Sequence, residues 1–139
     1  MFAEALVCLA LNVYHEARDQ PFIGQVAVAQ VVMNRVHDDR YTEEVCEVVM
    51  QGPTYSWKPD FPVRHRCQFS WYCDGKSDRT PDQTAWEQAL TIAQGVHTGN
   101  LDDFVEGATH YHATYVLPEW AETKTPVVQI GEHIFYRWE

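Results

Sequence analysis

Positive charge is what this chain has least of: 10 lysines and arginines stand against 20 aspartates and glutamates, a formal net charge of -10 over 139 residues. That balance argues against nucleic acid as a partner, because phosphates are bound by a basic face, and it gives an anionic membrane surface little to attract. Long apolar runs are missing too, none reaching the roughly 20 residues that a helix needs to span a bilayer. The apolar stretch 3–13 is interrupted by Glu4 and Asn12 and has no basic leader, so it reads as part of the fold and not as a removable signal peptide. Internal repeats, low-complexity tracts and domain linkers are absent, as are cysteines spaced C-x-x-C for a metal. What is present, 45% apolar and 22% charged residues, is the composition of a globular protein. The length suits one domain, residues 1–139, expected to be monomeric.

Periodicity supplies most of the elements. Phe2, Leu6, Leu9 and Val13 recur at spacings of three and four, which predicts a helix over 2–17, and the next step of that stripe falls on Glu16 or Ala17. Asp19-Gln20 breaks it, and Pro21 opens a second helix over 21–36 that is apolar nearly all round, with Gln25 and Gln30 set to satisfy buried neighbours or to line a cleft. Thr42 followed by Glu43 and Glu44 predicts a short third helix stopped by Gly52-Pro53. Residues 53–66, with three prolines and Tyr55, Trp57 and Phe61, read as an ordered surface loop whose rings either stack on sugar faces or pin the loop to the core. Residues 67–72 are strand-like in composition, or else an irregular aromatic loop. Thr80-Pro81-Asp82-Gln83 resembles a capping box opening a fourth helix that Gly99 ends, and 127–130 with 133–138 flank Gly131-Glu132 as a hairpin. The fold class is α+β, helix-dominated with a small antiparallel sheet or hairpin.

Two features carry chemistry. Glu16 borders the buried face of the first helix, where desolvation raises a carboxyl group above its usual value of about 4.3 and suits it to general-acid work near neutrality. The plainer alternatives are an ion pair with Arg18 or a lysine, or a capping role. The second feature is Gly107-Ala108-Thr109-His110-Tyr111-His112. Extended, it turns His110 and His112 to one face and Thr109 and Tyr111 to the other. Two histidines alone do not make a zinc site, which needs further ligands and an open position; no metal and no cofactor is expected. Four cysteines allow three complete pairings. Cys8 reads most simply as a small core residue and Cys67 with Cys73 as a bridgeable pair, while nothing local activates a thiol nucleophile. Glu47, Asp74 and Glu106 are candidates for a second catalytic carboxylate, each more simply solvated. One carboxyl group suffices where the substrate brings its own nucleophile, as in lytic transglycosylases.

Five blocks, Tyr14-His15-Glu16-Ala17-Arg18, residues 24–36, Cys67-Gln68-Phe69-Ser70, residues 107–112 and residues 130–136, together resemble the cell-wall hydrolases of the SleB and CwlJ type, which include spore-cortex-lytic enzymes. They occur in that family's order and cover nearly the whole chain. The resemblance implies a lysozyme-like catalytic domain acting on peptidoglycan glycan strands, with Glu16 as catalytic acid and Gln25, Gln68, Ser70, His110, Tyr111 and His112 as candidate residues of the sugar cleft. Cleavage between N-acetylmuramic acid and N-acetylglucosamine by a lytic transglycosylase is expected. The alternatives are a hydrolytic muramidase on the same fold, a metal-dependent amidase or peptidase centred on the histidine pair, and a silent wall-binding module. Where the family commonly reads Gly-Glu-Pro after the arginine, this chain has Asp19-Gln20-Pro21, and Gln20 cannot titrate. Made in the cytoplasm without a signal peptide, such a protein is expected to reach the wall by release, as a phage lysin does, or by another export route.

Overall fold

Helix α1 (Phe2–Ala17) and helix α2 (Phe22–Val36) form an elbow around Pro21, whose missing N–H costs nothing at a helix start. The computed structural model describes residues 2–52, 54–55, 58–62, 67–75, 77 and 79–139, and their side chains except at 2, 54–55, 58–62 and 70. Helix α3 (Val45–Val49) and helix α4 (Gln83–His97) pack with α2 around α1. Leu9, Val13 and Tyr14 meet Val26, Ala29 and Val32 of α2, Val48 and Val49 of α3, and Ala89, Ile92 and Ala93 of α4. The other face of α2, through Ala27, Val28 and Val31, packs with Ala17, Val105, Ala108 and Phe135 under the sheet. A helix with a core on both sides has to be apolar nearly all round, which accounts for its valine-rich sequence.

Strands β3 (His110–Ala113), β4 (Thr125–Ile130) and β5 (His133–Arg137) form an antiparallel sheet in the order β3-β5-β4. Tyr111 pairs with Phe135, and His110 with Tyr136. The β4–β5 turn depends on Gly131 at φ 57°, a left-handed conformation that glycine adopts without strain. Polar pegs on α2 fix the segment leading into β3. Gln30 donates to Asp102 O (2.6 Å) and accepts from Phe104 N (3.0 Å), and Asn34 donates to Ala108 O (2.9 Å).

Several expectations need correction. The third helix starts at Val45 and not at Thr42, because Thr42 Oγ1 turns back to accept from Glu44 N (3.2 Å) and donates to Glu47 (2.6 Å). The proline-rich stretch is not all loop: it holds a short antiparallel pair, β1 (Thr54–Tyr55) and β2 (Lys58–Pro62), while Trp57 lies outside the described residues. Ser70–Cys73 is a 3-10 turn and not a strand. Helix α4 is capped by Asp82, which accepts from Ala85 N (3.1 Å), so the capping box read from Thr80 is displaced by two residues. Cys8 is no free core thiol: it is bridged to Cys46, tying α1 to α3, and Cys67 is bridged to Cys73. Among the described residues no helix is long and apolar enough to cross a membrane.

Candidate active site

Glu16 sits in the last turn of α1, partly shielded, and its carboxyl accepts a hydrogen bond from the Tyr111 phenol on β3. Three influences set its acidity. Burial raises the pKa most, while the Tyr111 hydrogen bond and the charge of Arg35 pull it down. The net direction is upward, so the group holds its proton to higher pH than a solvated glutamate. Arg18, the alternative partner, is engaged elsewhere: its guanidinium donates to Tyr14 O (3.2 Å) and lies over the Tyr14 ring.

The surroundings of this carboxyl come from four elements. Arg35 of α2 is buried; its Nε donates to Thr109 O (2.7 Å), its Nη1 to Gln68 Oε1 (3.3 Å), and it stacks over Phe69 and Tyr41. Tyr111 is flanked by Phe69, His133 and Phe135 rings at 5.0 to 6.4 Å, and burial holds its phenol proton on well above the usual range. His15 stacks on Trp71 at 4.6 Å, and Trp71 Nε1 donates to Asn12 Oδ1 (2.8 Å). The Cys67–Cys73 bridge closes the turn that presents Gln68, Phe69 and Trp71. An apolar hollow of about 590 Å³ bounded by Val7, Leu11, Cys46 and Met50 opens on the opposite face of α1 and is separate from this site.

Of the residues named from sequence, Glu16 and Tyr111 are in direct contact, and Gln68 is exposed beside them on Arg35. Gln25 is buried and donates to Gln20 O (3.0 Å), which holds the elbow. His110 and His112 face the other side of the sheet from Tyr111, where they pack with Trp120 and Tyr136. His112 lies 2.7 Å from Ala113 O and 2.8 Å from Tyr136 Oη; His110 lies 2.9 Å from Thr109 Oγ1, and burial together with nearby cations lowers its pKa to about 4. Strand alternation therefore separates the histidine pair from the Glu16 carboxyl. Among the described residues no group of three His, Cys, Asp or Glu is placed to hold a metal ion. The Ser70 side chain lies outside the described residues. Arg35, Asn12 and Trp71 are missed by the sequence reading. A lone arginine in an apolar helix, and an asparagine one turn before Glu16 on the same face, were the available signals.

The profile of the cell wall hydrolases matches residues 19–136. The chain belongs to the cell wall hydrolase family. It is 31% identical over 128 residues to the spore cortex-lytic enzyme of Halalkalibacterium halodurans, covering 91% of this chain and 33% of that protein. The Bacillus cereus spore cortex-lytic enzyme is 29% identical over 128 residues, 91% of this chain and 42% of its own length. The chain thus spans about a third to two fifths of the length of these relatives. Among solved structures, the catalytic domain of the germination-specific lytic transglycosylase SleB from Bacillus anthracis superposes with a TM-score of 0.69 at 28% identity, over 96% of this chain and 93% of that one. The Bacillus cereus SleB catalytic domain gives 0.68 at 28% identity, covering 97% and 91%. The helix-dominated, lysozyme-like fold expected from the sequence is the fold these domains share. The matched profile begins three residues after Glu16, so the role of that glutamate rests on its setting in this site.

Proposed function

We propose that this chain is a peptidoglycan lytic transglycosylase in which Glu16 performs both proton transfers. As carboxylic acid it protonates the glycosidic oxygen, and the bond from that oxygen to the anomeric carbon of N-acetylmuramic acid breaks. As carboxylate it then takes the proton from a hydroxyl of the same sugar, whose oxygen closes onto the anomeric carbon to give an anhydro end. A group that works in both directions needs a pKa near the working pH. Burial holds the Glu16 proton on to higher pH than in a solvated glutamate, while Tyr111 and Arg35 favour its release. The single observation carrying the reading is the contact of the shielded Glu16 carboxyl with the Tyr111 phenol, with the charge of Arg35 also acting on it. A hydrolytic muramidase usually calls for a second carboxylate and leaves reducing ends.

Gln68, exposed and held through its carbonyl oxygen by Arg35, is the proposed contact for sugar acetamido or hydroxyl groups. The two disulfides favour a working place outside the reducing cytoplasm, which fits a single catalytic domain acting at the wall after release or export. The relatives named as spore cortex-lytic enzymes and as a lytic transglycosylase support the substrate class. Mass spectrometry of digested sacculi tests the proposal. Anhydro-muramic ends are expected; reducing ends would assign hydrolysis, and peptide fragments with intact glycan would assign an amidase or peptidase.

A further inference from the structure

Asn12 is fully buried, one helical turn before Glu16 and on the same face of α1. Its side chain is half satisfied. Oδ1 accepts from Trp71 Nε1 (2.8 Å), and an indole nitrogen only donates, so the amide orientation is set chemically: oxygen toward Trp71, nitrogen away. Nδ2 is left buried without a partner in bonding geometry. Such an orphaned donor is costly unless something nearby takes its hydrogen. The group it acts on is the Tyr111 phenol, whose proton it makes easier to lose against the larger opposing effect of burial.

We propose that Asn12 is a positioning residue whose N–H closes onto the Tyr111 oxygen, fixing Tyr111 as a donor to Glu16 Oε1 and leaving the transferable proton on Oε2. The inference rests on Glu16 as the acid. A phenol has one hydrogen. With Asn12 presenting its nitrogen, that hydrogen finds its acceptor in Glu16, and the hydrogen bonds run one way from Trp71 through Asn12 and Tyr111 to the carboxyl. Were the amide reversed, Asn12 Oδ1 would accept from Tyr111, and Tyr111 would accept from a proton on Oε1, trapping it on the buried oxygen. Trp71 prevents the reversal. Among the described residues, the charged and titratable groups against this chain of bonds include Arg35 from α2, which favours the carboxylate, His133 from β5, whose pKa burial lowers, and His15 and Tyr72, whose rings lie against Trp71.

The test uses Trp71→Phe, which keeps an aromatic ring against His15 but removes the N–H clamp, and Asn12→Ala. Carbon-13 NMR titration of the Glu16 carboxyl, assigned with Glu16→Gln, reads the chain of bonds without reference to activity. Both variants are expected to raise the Glu16 pKa by about half a unit or more, and to lower kcat about threefold to tenfold with KM unchanged. An unchanged Glu16 titration in folded Trp71→Phe would overturn the proposal, and this variant decides the matter if Asn12→Ala does not fold. Absence of glycan cleavage by the unmodified protein would instead count against the proposed reaction and leave the titration result standing.

Discussion

Tyr111 donates its phenol hydrogen to the Glu16 carboxyl across 95 residues of sequence, joining the end of the first helix to the first strand of the sheet. The contact opposes the desolvation that dominates the carboxyl's acidity, so neither the helix nor the strand alone sets that acidity. Four expectations follow from this site and its supports.

Glu16→Gln keeps the shape and the hydrogen-bond acceptor but removes the proton donor. Muropeptide release from sacculi is expected to fall by about 10²- to 10⁴-fold. Stability should move the other way. The folded pKa is raised, so ionising Glu16 above its unfolded value of about 4.5 weakens the native protein, and the neutral amide avoids that cost. Thermal melts should show a higher Tm for Glu16→Gln at pH 7 and convergence of the two proteins below about pH 4.5. Equal Tm at pH 7 would contradict the buried-acid account.

Tyr111→Phe retains the ring packing against Phe69 and Phe135 and deletes the hydrogen bond. A bond to the carboxylate lowers pKa, so its loss raises the Glu16 pKa further and moves the descending basic limb of the pH–rate profile upward. At neutral pH the rate is expected to fall about tenfold if Glu16 is the acid, because a weaker acid protonates the glycosidic oxygen less readily. A limb that stays in place or moves down would show that Tyr111 does not bear on the acid.

The two disulfides should separate stability from activity. Cys8–Cys46 spans 38 residues and joins α1 to α3, whereas Cys67–Cys73 spans 6 and shapes the turn carrying Phe69 and Trp71. Chain-entropy reasoning assigns about 4 kcal/mol to the longer closure and about 2 kcal/mol to the shorter. Replacing the first pair by alanine should cost more in urea unfolding; replacing the second should cost more in specific activity measured on the folded fraction. The reverse ranking on both assays would argue that the turn does not organise the site.

The hairpin turn is latched to the elbow. Gln20 Oε1 accepts from Glu132 N (2.9 Å), its Nε2 donates to Glu132 Oε1 (3.4 Å), and a Cβ on Gly131 would press against that Gln20 oxygen and lie 3.2 Å from Pro21 Cδ. Gly131→Ala is therefore expected to destabilise by about 1–3 kcal/mol through the left-handed backbone and the displaced latch. Gly99→Ala, also at positive φ but with open space around it, should cost about 1 kcal/mol and leave the pH–rate profile untouched. Comparable losses in chemical denaturation would mean that only the backbone, and not the latch, matters.

Residue 20 also shows how sequence and structure divide the information. A glutamine in place of the commoner glutamate removes a titratable group, which is legible from the letters alone. That the amide serves the hairpin turn through both of its polar atoms became visible only once residues 20 and 132 met.

By itself the sequence determined the long helices, the β4–β5 hairpin, the family and the exceptional position of Glu16, because periodicity, turn residues and ordered blocks are local signals. Tertiary structure alone decided which partners set that carboxyl's acidity, which face of β3 meets it, and that Cys8 joins Cys46. It also placed Asn12 and Arg35 around the site. Those facts depend on desolvation and on contacts between residues far apart in the chain, and neither quantity exists until the core has closed.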